Sequence, residues 1–421
     1  MTGRVEDTRY NPLPRRVAVP LYPCPHPQVR TAFAWLRALS APGALLEEAR
    51  ALVAAKLHVS PESVSFTSSG SSGLVLALRS VRTDSANEVM VPTFACHRVL
   101  EAVLAADMVP VLCDIDGNGN IDPHDMATRL SPRTRAVIAT HTFGIPADLS
   151  TLSRMCRDAD IHLIDDAAQG FGTVYDGRPV GSWGTFGVLS FGRHKPFFAG
   201  GGGAVVSGDR LPLGSPLPEP ATSSFVSALS RVVLTDRLRR LSTSLPTHVG
   251  LQTAPSGDVA EVLENVGSPF DMETSMHWTT AVLLSDQLRR AATYERVQQR
   301  HLSRIREAVS TQRGLTFPDL TPGQTVNFLP LQCAPQQRHP IAAHLARHGI
   351  ETTWLYYPLH RICRFTARWV DRGPFPHAER LWQRSLCLPC RGWHSDRQVA
   401  RVVHAIADLG VINDQSKAAH A

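Results

Sequence analysis

Residues 188–207 read VLSFGRHKPFFAGGGGAVVS. An apolar strand, a turn bearing one lysine, a run of four glycines and a second apolar strand follow in order. Lys195 is one of only three lysines, with Lys56 and Lys417, and arginine supplies the rest of the 43 basic residues. Only an amine can lose its proton and attack a carbonyl carbon, because a guanidinium stays charged. An ammonium of reference pKa about 10.4 must be pushed down for that, and burial or a nearby cation such as Arg193 acts in that direction. Schiff-base formation with a substrate carbonyl or with pyridoxal phosphate fits this pattern; a solvated loop lysine is the alternative.

Upstream, strand and helix patterns alternate. Strands are expected at 63–67, 88–92, 109–114, 136–140 and 161–164. Helices are expected at 44–58, 74–81, 97–106, 122–130 and 148–158. Strict alternation predicts an α/β fold with a largely parallel, doubly wound sheet, whose ligands sit at the carboxyl ends of the strands. The polar residues placed there are Ser69 to Ser72, Thr93, His141, Asp165, Asp166 and Ser190. The run Ser68-Ser69-Gly70-Ser71-Ser72-Gly73 between strand and helix reads as an anion site or as a plain serine N-cap. It has neither a Walker lysine nor a G-x-G-x-x-G spacing. Asp165 and Asp166 end a buried strand, where a carboxylate needs a cationic partner or a raised pKa. A protonated pyridine nitrogen would serve; capping of the next segment accounts for one of the two.

At 421 residues the chain exceeds one core and predicts two domains. A net charge of +6, spread as single arginines, suits anionic small molecules better than nucleic acid. Residues 1–16 lack the apolar stretch of a secretory signal and no run reaches membrane-spanning length, so a cytoplasmic protein is expected. Cys387-Leu-Pro-Cys390 has CxxC spacing without a second pair, which favours free thiols over a metal site.

Taken in order, Ser-Gly-Ser-Ser-Gly-Leu (69–74), Val-Pro-Thr-Phe (91–94), Pro-Val-Leu-Cys-Asp-Ile-Asp (110–116), His-Thr-Phe-Gly-Ile-Pro-Ala-Asp (141–148), Asp-Asp-Ala-Ala-Gln (165–169), Gly-Thr-Phe-Gly-Val-Leu-Ser-Phe (184–191), Lys195 and the glycines 200–203 resemble the DegT/StrS aminotransferases. The likeness covers about residues 40 to 210, with a weaker echo from 275 to 410. It implies the type I fold of pyridoxal-phosphate enzymes: a mostly parallel seven-stranded sheet between helices, then a smaller α+β domain. The expected divisions are an extended segment 1–40, a large cofactor-binding domain 41–245 and a smaller domain 246–421. Lys195 would form the Schiff base and carry the proton, and Asp166 would hold the pyridine nitrogen. Gln169 would lie beside the phenolic oxygen, while Ser190, Gly70, Ser71 and Ser72 would hold the phosphate.

Three departures stand out. Cys96 occupies the place of the family's stacking aromatic, with His97 or Phe94 as substitutes. Gly192 replaces a frequent histidine. Glu273-Thr274-Ser275 replaces an Asn-Tyr-Arg segment that reaches the partner subunit's phosphate, and a carboxylate there would repel it. Farther on, Arg237, Arg239 and Arg240 could grip a diphosphate or a carboxylate, or form a solvated helix face. A long helix is expected at 278–309, a strand at 325–331, a helix at 341–348, an extended segment at 351–357 and a closing helix at 396–409, followed by a frayed tail at 415–421. Tyr357 and His360 resemble residues at the family's active-site mouth and could touch substrate.

The resemblance implies a homodimeric aminotransferase. It would move an amino group from a donor such as glutamate to a keto substrate, first of all a nucleotide-linked keto sugar or a cyclitol in a secondary pathway. Elimination, oxidation or C–C chemistry on the same cofactor is a second reading, and a non-catalytic cofactor-binding regulator a third.

Overall fold

The computed structural model describes residues 12, 14, 17–21, 42–192, 194–208, 217–218, 270–320, 324–362 and 373–409. Helix α1 (Pro42–Leu57) leads into strand β1 (Val64–Thr67) and helix α2 (Gly70–Val81). Then come β2 (Glu88–Pro92), α3 (His97–Ala105), β3 (Val109–Cys113), α4 (Pro123–Arg129), β4 (Thr134–Thr140), α5 (Leu149–Asp158) and β5 (His162–Asp166). A small ribbon, β6 (Val174–Tyr175) with β7 (Arg178–Pro179), precedes β8 (Phe186–Ser190) and β9 (Gly203–Ser207). The seven-stranded sheet has the order β1-β9-β8-β5-β4-β2-β3. From β3 to β8 neighbours run parallel, and only β9 opposes both β8 and β1.

Both faces of this sheet are covered, which is why its strands read as apolar runs. Val89 and Val91 point into one core cluster and Met90 into the other, the period-2 alternation of a strand. On one side lie α2, α3 and the described residues from 291 onward, called the second unit below, through residues such as Leu78, Leu100 and Ile305. On the other lie α1, α5 and helix α6 (Trp278–Arg289), through Val53, Leu152 and Leu284. Each fully buried side chain of this kind contributes about 1.5–3 kcal/mol.

The second unit continues with α7 (Ala291–Ser310), β10 (Leu329–Gln332), α8 (Pro335–Arg347), α9 (Pro376–Arg384), β11 (Ser385–Leu388) and α10 (Asp396–Ala407). The expected single helix at 278–309 is two, broken at Arg290 with φ −102° and ψ 1°. The break lets α6 pack on one face of the sheet while Leu302, Ile305 and Val309 of α7 join the cluster on the other. The strand expected at 325–331 begins only at Leu329, because the N–H of Asn327 is taken by Phe143 O at 2.7 Å, outside any ladder. Helix α8 starts six residues before its expected start and carries Pro340 inside. Helix α2 starts one turn early because Ser69 caps it, accepting the Ser72 N–H at 3.0 Å. The expected segment at 351–357 makes a single bridge, Thr353 to Cys387, and turns at Tyr356, whose φ is 53°.

Cys387 lies in β11 opposite Pro330, and Cys390 follows it. Both thiols are buried, and burial pushes them well above the ordinary thiol range. Among the described residues no helix is long and apolar enough to cross a membrane. Arg193, Arg237, Arg239 and Arg240, the division at 245/246, most of the segment 1–40 and the tail at 415–421 lie outside the described residues.

Residues 18–21 lie along the second unit: Val19 bridges Ile350, and Gln398 donates to Ala18 O at 3.2 Å. Beneath them His394 is buried, its Nε2 on Pro20 O at 2.8 Å and its Nδ1 accepting the Arg391 N–H at 2.9 Å. That ring is therefore neutral, and burial pushes its pKa down to about 4. Below the unfolded value of about 6.5 the unfolded chain takes up a proton that the native state refuses. Stability is therefore expected to fall from pH 6.5 toward 4, by about 3 kcal/mol from this residue alone. Urea unfolding across that range checks it: His394→Gln flattens the pH dependence relative to the parent.

Candidate active site

The carboxyl ends of the parallel strands meet at one cavity of about 150 Å³, lined among others by Gly70, Ser71, Cys96, Arg98, Thr140, His141, Asp166, Gln169, Ser190, Lys195 and Tyr356. Ser190 ends β8, and Lys195 follows in the connection to β9. Thr140 and Asp166 end β4 and β5 as register partners. Gly70 and Ser71 open α2, whose first N–H groups and dipole favour an anion. A Cβ on Gly70 would lie 2.7 Å from Ser190 Cβ, and one on Gly203 only 2.4 Å from the Gly70 backbone nitrogen. Glycine at these two positions lets the helix terminus sit directly on the lysine-bearing hairpin.

The paired carboxylates divide the work. Asp165 is fully buried and faces away from the cavity. Its Oδ2 accepts the N–H groups of Gly181 at 2.7 Å and Trp183 at 2.9 Å, and its Oδ1 meets His141 Nε2 at 2.7 Å. His141 Nδ1 accepts the Ala147 N–H at 3.1 Å, so the ring proton sits on Nε2, toward Asp165. Asp166 faces the cavity. Burial pushes its carboxyl up, opposed by the charge of Lys195 and by the Ala168 N–H at 3.1 Å. It is a desolvated carboxylate placed to take a cation.

Gln169 donates to Tyr356 Oη and accepts from Asn327 Nδ2 at 3.3 Å. The cavity is thus closed partly by the second unit. Cys96 stands at the N-cap of α3, where burial pushes its thiol up while the charge of Lys195 and the Arg98 N–H pull it down. Arg98, in the first turn of α3, pairs with Glu101 at 2.5 Å and lies over the Phe270 ring at 4.0 Å.

Several expected residues stand elsewhere. The Ser72 hydroxyl bonds Ser68 and Ser69 Oγ, each at 2.9 Å, and its N–H is committed to Ser69, so it shapes the helix start rather than the cavity wall. Neither His97 nor Phe94 lines the cavity; Phe94 is buried edge-on to Tyr356 at 5.9 Å. Tyr357 packs into the second unit edge-on to Trp382 at 5.5 Å, and Tyr356 takes the cavity position instead because its left-handed backbone shifts the alternation by one. His360 bridges Thr93 Oγ1 at 2.8 Å and Glu379 at 2.7 Å, tying the two units together. Glu273 is exposed, in a turn built on Asp271 Oδ1, which accepts the N–H groups of Glu273 and Thr274 at 3.0 Å each. Thr140, Arg98 and Tyr356 were not singled out by the sequence; Thr140 at a strand's carboxyl end was the one with a signal to find it.

The fold and this cavity define an α/β protein that gathers an amine, a desolvated carboxylate and a helix N-terminus at one site. The sequence pattern of the DegT/DnrJ/EryC1/StrS aminotransferase family matches residues 44–211 and 256–407, and the chain belongs to that family. It is 27% identical to dTDP-4-dehydro-2,3,6-trideoxy-D-glucose 4-aminotransferase of Saccharopolyspora spinosa, over 82% of this chain and 84% of that one. It is 35% identical to L-glutamine:2-deoxy-scyllo-inosose aminotransferase of Micromonospora echinospora, over 34% of each chain. The aminotransferase TlmJ from Streptoalloteichus hindustanus superposes with a TM-score of 0.72 at 26% identity, covering 94% of this chain and 99% of its own.

Proposed function

We propose that this aminotransferase works with pyridoxal phosphate and aminates a nucleotide-linked keto sugar or a cyclitol ketone. The observation that carries the reading is the convergence of Lys195, Asp166, Gln169, Ser190 and the start of α2 on one cavity. The donor set fits the cofactor. A cavity on the order of 150 Å³ takes a benzene-sized ring. The buried Thr140 hydroxyl on its wall has no hydrogen-bond partner among the described residues, which suits a wall that receives a polar ligand.

Asp166 would hold the ring nitrogen, Gln169 would flank the phenolic oxygen, and Cys96 would lie against the ring. Ser71, Ser190 and the α2 N-terminus would hold the phosphate, each charged contact contributing about 1.5–3 kcal/mol. When bound, pyridoxal phosphate supplies an aldehyde that exchanges amines and a ring that draws electrons from the neighbouring C–H bond. Lys195 Nζ would hold that aldehyde covalently, with loss of water, and once displaced by a donor amine would carry the proton at the reacting carbon. Asp166, as a carboxylate, would hold the proton on the ring nitrogen. Tyr356 and Arg98 face the remaining space, where donor and acceptor bind in turn.

The reading extends to a cytoplasmic homodimer, with residues 41–245 as the cofactor domain, 246–421 as the smaller one and 1–40 as the N-terminal segment; the family resemblance supports it. The name of the inosose relative favours L-glutamine as donor, beside the L-glutamate expected from the sequence, and the two named relatives favour sugar and inosose ketones as acceptors. The protein loaded with pyridoxal phosphate is expected to change its visible absorbance with one of these donors and to recover it with a dTDP-linked 4-keto sugar or 2-deoxy-scyllo-inosose. Ammonia release without recovery would favour elimination, and no response to any amine would contradict the proposal.

A further inference from the structure

The Lys195 turn is held from the far side by a residue outside the cofactor cavity. Arg391, buried just beyond β11, donates from Nη1 to Lys195 O at 2.6 Å and from Nη2 to His194 O at 3.3 Å. The same guanidinium bonds Asn327 Oδ1, and Asn327 Nδ2 donates to His194 O at 3.0 Å and to Gln169 Oε1 at 3.3 Å. His194 has φ 70°, a conformation a non-glycine residue keeps only when its surroundings enforce it. One planar fork thus fixes two successive carbonyls of the turn, a geometry that a lysine's point charge does not reproduce.

We propose that Arg391 is a positioning residue: with Asn327 it clamps the backbone of His194 and Lys195 and sets the Lys195 amine and Gln169 in register. The clamp extends outward, since the Arg391 N–H is received by His394, whose Nε2 meets Pro20 O. The second unit and residues 18–21 therefore act on the lysine through its main chain. The side chain of Arg391 reaches the cavity only through other groups. A misplaced nucleophile loses rate while the site's other contacts remain, so the effect falls on bond formation by Lys195.

The proposal rests on Lys195 as the amine that captures pyridoxal phosphate, and the test separates the two. Stopped-flow capture of pyridoxal phosphate, with borohydride trapping and peptide mapping, is followed for the parent, Arg391→Gln and Arg391→Lys. Hydrogen exchange of residues 191–199 and the unfolding midpoint are measured on the same samples. Arg391→Gln is expected to slow Lys195 labelling by about ten- to a hundredfold. Faster exchange confined to the turn should accompany it, with Arg391→Lys between the two. Unchanged capture and unchanged exchange in Arg391→Gln would overturn the clamp, and so would loss of fold in both variants, which would make Arg391 a core residue only. If the parent itself fails to label, the cofactor reading falls, and local exchange in the turn still decides the clamp.

Discussion

Lys195→Ala is expected to abolish amino transfer, lowering the rate by at least about 10⁴-fold, because one side chain serves as both covalent anchor and proton carrier. The backbone of the turn should persist, since Arg391 and Asn327 hold main-chain carbonyls of His194 and Lys195 that the substitution leaves in place. Lys195→Arg should be as inactive as the alanine variant, because a guanidinium does not surrender its proton. Steady-state rates with a saturating donor, alongside a circular-dichroism melt, separate lost chemistry from lost fold. Transfer by either variant at more than a hundredth of the parent rate would remove Lys195 from its role.

Asp166→Asn gives the second large effect, and its signature is activity lost without stability lost. The asparagine keeps an acceptor for the Ala168 N–H, now at 3.1 Å from Asp166 Oδ1, but cannot balance a protonated ring nitrogen. Losing a charge-assisted hydrogen bond of about 1.5–3 kcal/mol corresponds to about 10- to 150-fold in rate. Burial pushes the Asp166 carboxyl up, and the charge of Lys195 only partly offsets it. A protonated ring nitrogen beside it would act in the opposite direction and favour the ionised carboxyl. Asp166→Asn has no charge to give that nitrogen. The variant should unfold at the same denaturant concentration as the parent or a higher one, since a desolvated charge has been removed.

Most of the large unit was legible because its code is local. Strands such as β2 are buried on both faces and read as apolar runs, while the turn glycines, Asp166, Ser190 and Lys195 all sit at strand ends that the alternation itself marks. What the sequence withheld depends on partners far along the chain. Tyr356 displaces Tyr357 from the cavity through one left-handed residue in an otherwise extended segment. The helix break at Arg290 is set by two different surfaces needing two different axes. Arg391 carries no sequence signal at all, because its targets are carbonyls almost 200 residues away. The second carboxylate of the Asp165–Asp166 pair, open on sequence grounds, is accounted for by two backbone N–H groups and His141.

The account stands on where the cofactor's aldehyde attaches. Borohydride reduction of the protein loaded with pyridoxal phosphate, followed by proteolysis and mass spectrometry, is expected to place one pyridoxyl group on the peptide containing Lys195. A label on Lys56 or Lys417 instead, or a protein that takes up no pyridoxal phosphate, would contradict it.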